Sequence, residues 1–339
     1  LKKIGVLFGQ ERTFPEAFVE AVNAQKPKGI IAEKLEMERV VQGEASGYAV
    51  IIDRISQDVP FYRAYLKNAA LSGTAVLNNP FWWSADDKFF NNAIATRVGV
   101  PVPETVLLPS YQKPDGTTDE SFTNLGAMDW NSFHKIVGYP AYMKPFAGGG
   151  GHDVYKLKNE ADFLAKHPQT GQLVMLFQES ISFTDYYRCY CIDRKDVRIM
   201  EYDPTKPYLQ NYVQGKMSKG KQLLATIKDY VLRLNHALGY DINTAEFAVR
   251  DGIPYAIDFG NPAPDADLHS VGQENFEWFI SKVKAMALKR ARAYKEGKMN
   301  LTWGKFVTDS VDGNTVNIAS IRKKMNRKHS SKNTSKKSE

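Results

Sequence analysis

Four consecutive glycines, Gly148-Gly149-Gly150-Gly151, follow the short apolar run Ala141-Tyr142-Met143 that ends in Lys144-Pro145. Residues without side chains let backbone N–H groups approach phosphate oxygens closely. A lysine at the end of a strand is held more firmly than one in a loop, so Lys144 suits a phosphate charge. Alone, the glycine run reads as a flexible hairpin, since neither GxxxxGK[ST] nor GxGxxG is present. A second set of groups lies further along. Glu246 in Thr-Ala-Glu-Phe-Ala and Asp258 in Ala-Ile-Asp-Phe-Gly-Asn-Pro occupy two runs separated by Asp251-Gly252, the signature of a hairpin turn. Carboxylates flanked by Ala, Phe, Ile and Tyr are costly to bury unpaired, so a hard cation or a basic partner is expected. Glu246, Asp258 and the amide of Asn261 offer the oxygen ligands that magnesium takes alongside phosphates. Salt bridges to Arg or Lys on a sheet face are the plain alternative.

These groups need elements to carry them. Lys3 to Phe8 is an apolar run suited to a buried parallel strand, and Thr13-Phe14-Pro15-Glu16 has the cap, proline and acid of a helix start. Runs at Tyr48 to Ile52 and Thr74 to Leu77, with a helical stretch from Phe61 to Leu71 between them, continue the strand–helix alternation of an open α/β unit. Ser84 to Val98 reads as a helix stopped by Gly99, with Pro101 and Pro103 beyond. Strands are expected at Tyr142 to Pro145, Val154 to Leu157, Leu173 to Phe177, Tyr187 to Asp193 and Arg198 to Tyr202. Helices are expected at Glu160 to Lys166, Lys219 to Leu238 and Ser281 to Lys298, with hairpin strands at Thr244 to Val249 and Tyr255 to Phe259. The fold class is therefore α/β, turning to α+β in the C-terminal part.

A length of 339 residues suits two or three packed units, and 43% hydrophobic with 24% charged residues is an ordinary globular composition. The net charge of +7 looks like a nucleic-acid signal until it is located: residues 322–339 are rich in Lys and Arg against the single acid Glu339, and the rest of the chain is neutral. Such a tail has nothing to bury and reads as disordered, with at most weak polyanion contacts. No apolar run approaches a bilayer span and Leu1-Lys2-Lys3 leads into no cleavage-site pattern, which reads as cytoplasmic, untargeted and without membrane partners. Cys189 and Cys191, one residue apart, are poor disulfide partners and too few for a zinc site, so they read as buried reduced thiols.

At this point the residues resemble the ATP-grasp carboxylate-amine ligases, typified by D-alanine-D-alanine ligase, glutathione synthetase and the ribosomal-protein glutamate ligases. The resemblance covers about residues 3–290. It implies an N-terminal α/β pre-ATP-grasp domain (1–83), a central subdomain with the glycine loop (84–176), a C-terminal subdomain with the metal site (177–305) and the basic tail (306–339). Asn78-Asn79-Pro80 and the Asp86-Asp87-Lys88-Phe89-Phe90 helix look like the family's opening segment, which makes Lys88 the first ATP lysine and Lys144 the second. Gly148, Gly149, Gly150 and Gly151 would form the loop that closes on the phosphates. Gln178, Glu179 and Ile181 resemble the hinge that reads adenine through backbone groups, with Asp185 for the ribose hydroxyls. Arg188 is similar to the strand arginine that meets the triphosphate, and Asn211 lies in the family's Asn-containing loop. The cofactors implied are ATP and magnesium, with manganese as an alternative ion.

Departures matter too. The family usually ends its metal set with Glu-x-Asn, whereas Asp258-Phe259-Gly260-Asn261 has a shorter acid and one extra residue; a glycine bulge would restore the geometry. The arginine before the first metal acid and the N-terminal His-Gly segment of D-alanine-D-alanine ligases are absent, so that substrate pair is not expected. The strand Arg198 to Tyr202 lacks the usual late basic residue, which leaves Arg198 or Lys206 to stabilise the transferring groups. The resemblance implies an amide-forming enzyme that joins a small-molecule carboxylate to an amine through an acyl phosphate, and leans towards a dimer. A small-molecule kinase on the same scaffold and a nucleotide-binding regulator without turnover are the alternatives. Gly9 to Thr13 and Asp53-Arg54 are expected to face the substrate cleft, with Arg54 a candidate for a substrate carboxylate. His152, beside the loop, reads as a solvent-facing histidine.

Overall fold

The computed structural model describes residues 1–81, 87–213 and 220–301. The expected N-terminal α/β unit is present: β1 (Lys2–Leu7), β2 (Ile30–Lys34), β3 (Val50–Asp53) and β4 (Ala75–Leu77) pair in parallel in the order β2-β1-β3-β4. Crossover helices are α1 (Thr13–Ala24) and α2 (Pro60–Leu71). Pro60 suits the first position of α2, where a backbone N–H would lack a helical partner anyway. Thr13 does not cap α1 as expected. Its hydroxyl donates to the Asp267 carboxylate at 3.0 Å and accepts the Leu268 N–H at 3.0 Å, so it ties the unit to the far end of the chain.

α3 (Lys88–Arg97) follows, capped by Asp87, whose side chain accepts from the Phe90 N–H. Ser84 and Asp86, expected in this helix, lie outside the described residues. A second sheet, antiparallel and ordered β5-β8-β6-β7, contains β5 (Thr105–Leu108), β6 (Ala141–Pro145), β7 (Tyr155–Leu157) and β8 (Met175–Glu179). Helices α4 (Trp130–Val137) and α5 (Glu160–Lys166) accompany it, and its core of Leu108, Met143, Phe163 and Phe177 draws only on this segment. β8 runs across the expected boundary at 176 and pairs wholly within this sheet.

The third sheet is antiparallel in the order β10-β9-β11-β12, from β9 (Asp185–Ile192), β10 (Asp196–Glu201), β11 (Ile242–Arg250) and β12 (Ile253–Asn261). The β11–β12 turn is the expected Asp251-Gly252, both at positive φ (52° and 75°), as a tight hairpin turn of matching twist requires. α6 (Lys221–Leu238) and α3 pack on one face of this sheet, with Ile94, Val231 and Leu234 against Tyr187, Cys189 and Phe247. The two cysteines are buried there as free thiols. α7 (Leu268–Val271) and α8 (Gln273–Ala293) follow β12. α8 begins at Gln273 rather than Ser281 because its apolar stripe starts at Phe276, Phe279 and Ile280.

The first and third sheets share one core. Phe14 and Phe18 of α1, Ile4 and Ile52 of the first sheet, Tyr190 and Ile242 of the third and Phe279 of α8 form a single buried cluster. Phe14 meets Phe279 edge-on at 5.2 Å, and Tyr190 stacks on Trp278 at 6.2 Å. Asn78 fastens the same junction. Only 3% exposed, it accepts the Asp241 and Ile242 N–H groups at 2.6 and 2.8 Å and donates to the Ile242 and Pro262 carbonyls at 2.8 and 3.1 Å. No helix among the described residues is long and apolar enough to cross a membrane. The basic tail lies outside the described residues.

Asn78→Ala leaves these buried backbone groups without partners and is expected to lower stability by about 2–4 kcal/mol, read as the change in urea unfolding free energy. An unchanged midpoint would refute that role.

Candidate functional site

Cross-strand register builds the site. Arg188 of β9 lies opposite Glu246 of β11, and Glu246 lies opposite Asp258 of β12. Opposed residues share a face with Cβ atoms roughly 4.5–5.5 Å apart, so a guanidinium and two carboxylates form one row. β12 reaches this row through irregular pairing. The register shifts between Thr244↔Asn261 and Glu246↔Asp258, and again before Phe247↔Ala256. In a regular strand Asp258 and Asn261 would point to opposite faces; with an extra residue between them, both lie opposite same-face residues of β11. The register therefore contains the bulge that the Asp-Phe-Gly-Asn spacing called for.

Charge in this row is balanced by neighbours. Arg188 comes within 3.6 Å of the Glu246 carboxylate, an ion pair too long for a hydrogen bond, while the Tyr186 hydroxyl donates to the other carboxylate oxygen at 2.6 Å. Burial raises the pKa of Glu246, the Asp258 charge adds to this, and Arg188, Tyr186 and Lys144 oppose it. Burial alone would discourage the Arg188 charge, but Glu246 and the surrounding tyrosines hold its pKa above the ordinary value. Tyr202 and Tyr212 flank the guanidinium, with ring centres 5.3 and 5.9 Å away. Asp258 is exposed and has no hydrogen bond or ion pair among the described residues.

Lys144, on β6, points across to the third sheet and donates to the Ile257 carbonyl at 3.5 Å. Burial pushes its pKa below the ordinary lysine value, Lys88 adds to this, and Asp258 and Glu246 oppose it. Lys88 opens α3. Its backbone N–H bonds to the Phe146 carbonyl at 2.8 Å and its ammonium to the Gly148 carbonyl, so it holds the start of the glycine loop. Gly148, Gly150 and Gly151 sit at φ of 82°, 76° and 72°, where a β-carbon is strained, and the loop is exposed. Gly149 lacks a positive φ and owes its place to the loop alone. Lys88, Lys144, Arg188, Glu246, Asp258 and Asn261 thus converge.

Other expected residues do not join them. Arg198 is held by α8, bonding to Asn275 at 2.7 Å and pairing with Glu274 at 2.7 Å, so it has left the row for a structural clamp. Lys206 pairs locally with Asp203 at 3.7 Å. Asn211 is buried, and its amide nitrogen donates to the Asp203 and Lys206 carbonyls at 2.8 and 2.9 Å, which organises its own loop. Gln178 is buried and donates to Thr105 at 2.9 Å, and Glu179 is paired with Arg250 at 2.6 Å. At this hinge the Glu179 and Ser180 N–H groups already serve the Glu104 and Pro140 carbonyls, and the Ile181 side chain is buried. Asp185 stands at the start of β9 and accepts from Thr184 at 3.0 Å. His152 is exposed, as expected.

A cavity of about 750 Å³ adjoins the row. One wall is the expected Gly9 to Thr13 segment with Arg54; the other carries Arg188, Asn261 and Asp265. Arg54 lines the cavity largely engaged by the protein itself, with only its Nη1 left without a partner among the described residues. It is 3% exposed, paired with Glu11, and donates to the Pro264 carbonyl at 2.6 Å. Two contributors were missed at the sequence level. Tyr186 carries no signal beyond its place in Asp185-Tyr186-Tyr187-Arg188, where strand alternation sets it on the face of Arg188. Asn243, buried behind Glu246, could have been read as a polar residue in an apolar strand that needs partners.

Among the described residues no group of three or more His, Cys, Asp or Glu gathers. The donor set is two carboxylates and an amide, which fits a hard cation that takes its remaining oxygens from phosphate and water. No protein-family model matches the chain, and no curated protein matches its sequence. Solved structures do. The ATP-grasp ligase PsnB, complexed with a minimal precursor, is similar at TM-score 0.58 and 17% identity over 85% of this chain and 98% of that one. An ATP-grasp RimK domain protein from Sphaerobacter thermophilus gives 0.58 and 15% over 86% and 99%, and D-alanine–D-alanine ligase from Bacillus anthracis 0.54 and 15% over 86% and 98%. The chain has the ATP-grasp fold. Within that fold, PsnB has also been solved with magnesium and ADP, and the Bacillus ligase with ATP. In ATP-grasp terms, the second and third sheets here are the two halves that face each other across Lys144 and Asp258.

Asp258→Asn removes a negative charge that favours the Lys144 ammonium, so the Lys144 pKa is expected to fall further. Side-chain nitrogen NMR titration of the lysines reads this directly; an unmoved Lys144 signal would refute the proximity.

Proposed function

We propose that this chain is an ATP-dependent ligase that joins a carboxylate to an amine through an acyl phosphate. The reading is supported chiefly by one observation: Arg188, Glu246 and Asp258 stand in a row between Lys144 and a cavity large enough for small substrates. A carboxylate is a poor acyl donor because oxide cannot leave. Transfer of the γ-phosphoryl group to it supplies a leaving group but brings anion against anion. On this proposal Lys144 and Lys88 neutralise nucleotide phosphates at the glycine loop, and Arg188 offsets the charge that builds on the transferring group. Arg188 is suited to this because Tyr202 and Tyr212 fix its plane and Glu246 holds one edge. Glu246, Asp258 and Asn261 would hold magnesium, or manganese in its place, which supplies positive charge at the phosphate oxygens. The amine then attacks the acyl carbon, phosphate departs and an amide remains. Water must be excluded meanwhile, which suits a loop with three glycines at positive φ beside Lys144.

The test is a screen of carboxylates, amino acids and short peptides for ADP release, with and without an amine. Amine-dependent release supports the ligase; a phosphorylated acceptor without amine marks a kinase, and nucleotide binding without turnover a regulator. Lys144→Ala and Asp258→Ala are each expected to lower turnover by at least ~10²-fold with the fold intact by circular dichroism. Full activity in either counts against the assignment.

Gly151→Val places a branched side chain at φ of 72° in the loop, with open space around it. Turnover should drop several-fold or more while nucleotide affinity changes little. Equal losses in both would argue against a closing role.

A further inference from the structure

The proposed metal set relies on a bulged strand, and a bulge leaves ladder groups without their ordinary partners. Here a single side chain replaces them. Asn243 of β11 is fully buried. Its amide nitrogen donates to the Phe259 carbonyl at 2.9 Å, and its amide oxygen accepts the Asn261 N–H at 2.8 Å. These two contacts bracket Gly260, the extra residue between Asp258 and Asn261. Asn243 is itself oriented: its amide nitrogen also donates to Asn235 of α6 at 3.0 Å, and Asn235 donates to the Val231 carbonyl at 2.7 Å. Both asparagines are 0% exposed, so water is no substitute partner.

We infer that Asn243 is a positioning residue which holds the Asp258–Asn261 bulge so that a shorter acid and a displaced amide face the same way as Glu246. The inference rests on the metal reading above and assigns Asn243 no contact with metal or substrate. Its physical basis is that a donor and an acceptor on one rigid amide fix both sides of the bulge at once. A hydrophobic residue at 243 would leave the buried Phe259 carbonyl and the half-buried Asn261 N–H unpaired, and β12 would gain by slipping back to regular pairing. Slippage by one residue turns Asn261 to the opposite face.

The experiment measures manganese binding by electron paramagnetic resonance in the presence of a non-hydrolysable ATP analogue. Three variants of the full chain are compared with the parent. Asp258→Ala reports whether the ion sits where the proposed function puts it; parent-like binding there sinks the metal reading, whatever Asn243 does. Asn243→Ala is expected to weaken manganese binding by ~10-fold or more, as loss of groups that orient metal ligands commonly does, with metal-free nucleotide affinity unchanged. The third variant keeps Asn243→Ala, deletes Gly260 and changes Asp258→Glu, which removes the bulge and restores reach with a longer acid. It should regain binding to within about threefold of the parent, since regular pairing no longer needs the clamp.

Parent-like manganese binding by Asn243→Ala overturns the inference. So does a third variant that recovers no binding, whether folded or not. If Asn243→Ala alone fails to fold, a folded and metal-binding third variant carries the inference instead. A merely structural role would lower stability in both Asn243 variants alike and would not return with the register.

Discussion

Two carboxylates on neighbouring strands, facing the same way at cross-strand distance, repel each other, and the site is organised around that repulsion. Burial of Glu246 makes its charge costly, and Asp258 adds to the cost. Arg188, Tyr186 and Lys144 act in the opposite sense, each from a different direction. Removing any one would move the balance towards protonation of Glu246. A hard cation between the carboxylates would relieve the repulsion more completely than these neighbours do, because it presents two positive charges to both acids at once. The protein alone leaves Asp258 exposed and without a partner among the described residues.

The rest of the third sheet works to keep this arrangement in register. α6 lies behind it, its apolar face filled by Phe247 and the two cysteines, while Asn235 reaches through to Asn243. In front, the Arg198 clamp to α8 and the stack of Tyr190 on Trp278 fix β9 and β10. Arg188 emerges between these supports beside two tyrosine rings, so its orientation is set by the protein's own packing.

Much of this was legible in the sequence because the signals were local. The Asp251-Gly252 turn announced the hairpin, and the hairpin alone placed Glu246 and Asp258 on facing strands. The odd spacing of Asp258 and Asn261 raised the option of a bulge, and the register contains one. What escaped depended on partners distant in the chain. Arg198, Asn211 and Arg54 are chemically able to bind anions, and only the tertiary structure engages them with Glu274, with local carbonyls and with Glu11. β2 and α4 were missed because both runs are short, five and eight residues, and neighbouring elements complete their buried faces. The core that the 1–83 unit shares with α8 and the third sheet was not legible either, because it too depends on distant partners.

That common core has a mechanical corollary. The first and third sheets are fused through Phe14, Phe279 and Asn78 and behave as one anvil, whereas the second sheet keeps a nucleus of its own from Leu108 to Phe177. On the proposed function, closure over the glycine loop would fall to the second sheet, which joins the anvil through 99–104 and 180–184. The cavity beside Arg188, lined wholly by the anvil, would keep its shape throughout that movement. If the proposed ligase reading holds, what the cavity admits and when the glycine loop shuts are set by different bodies of one chain.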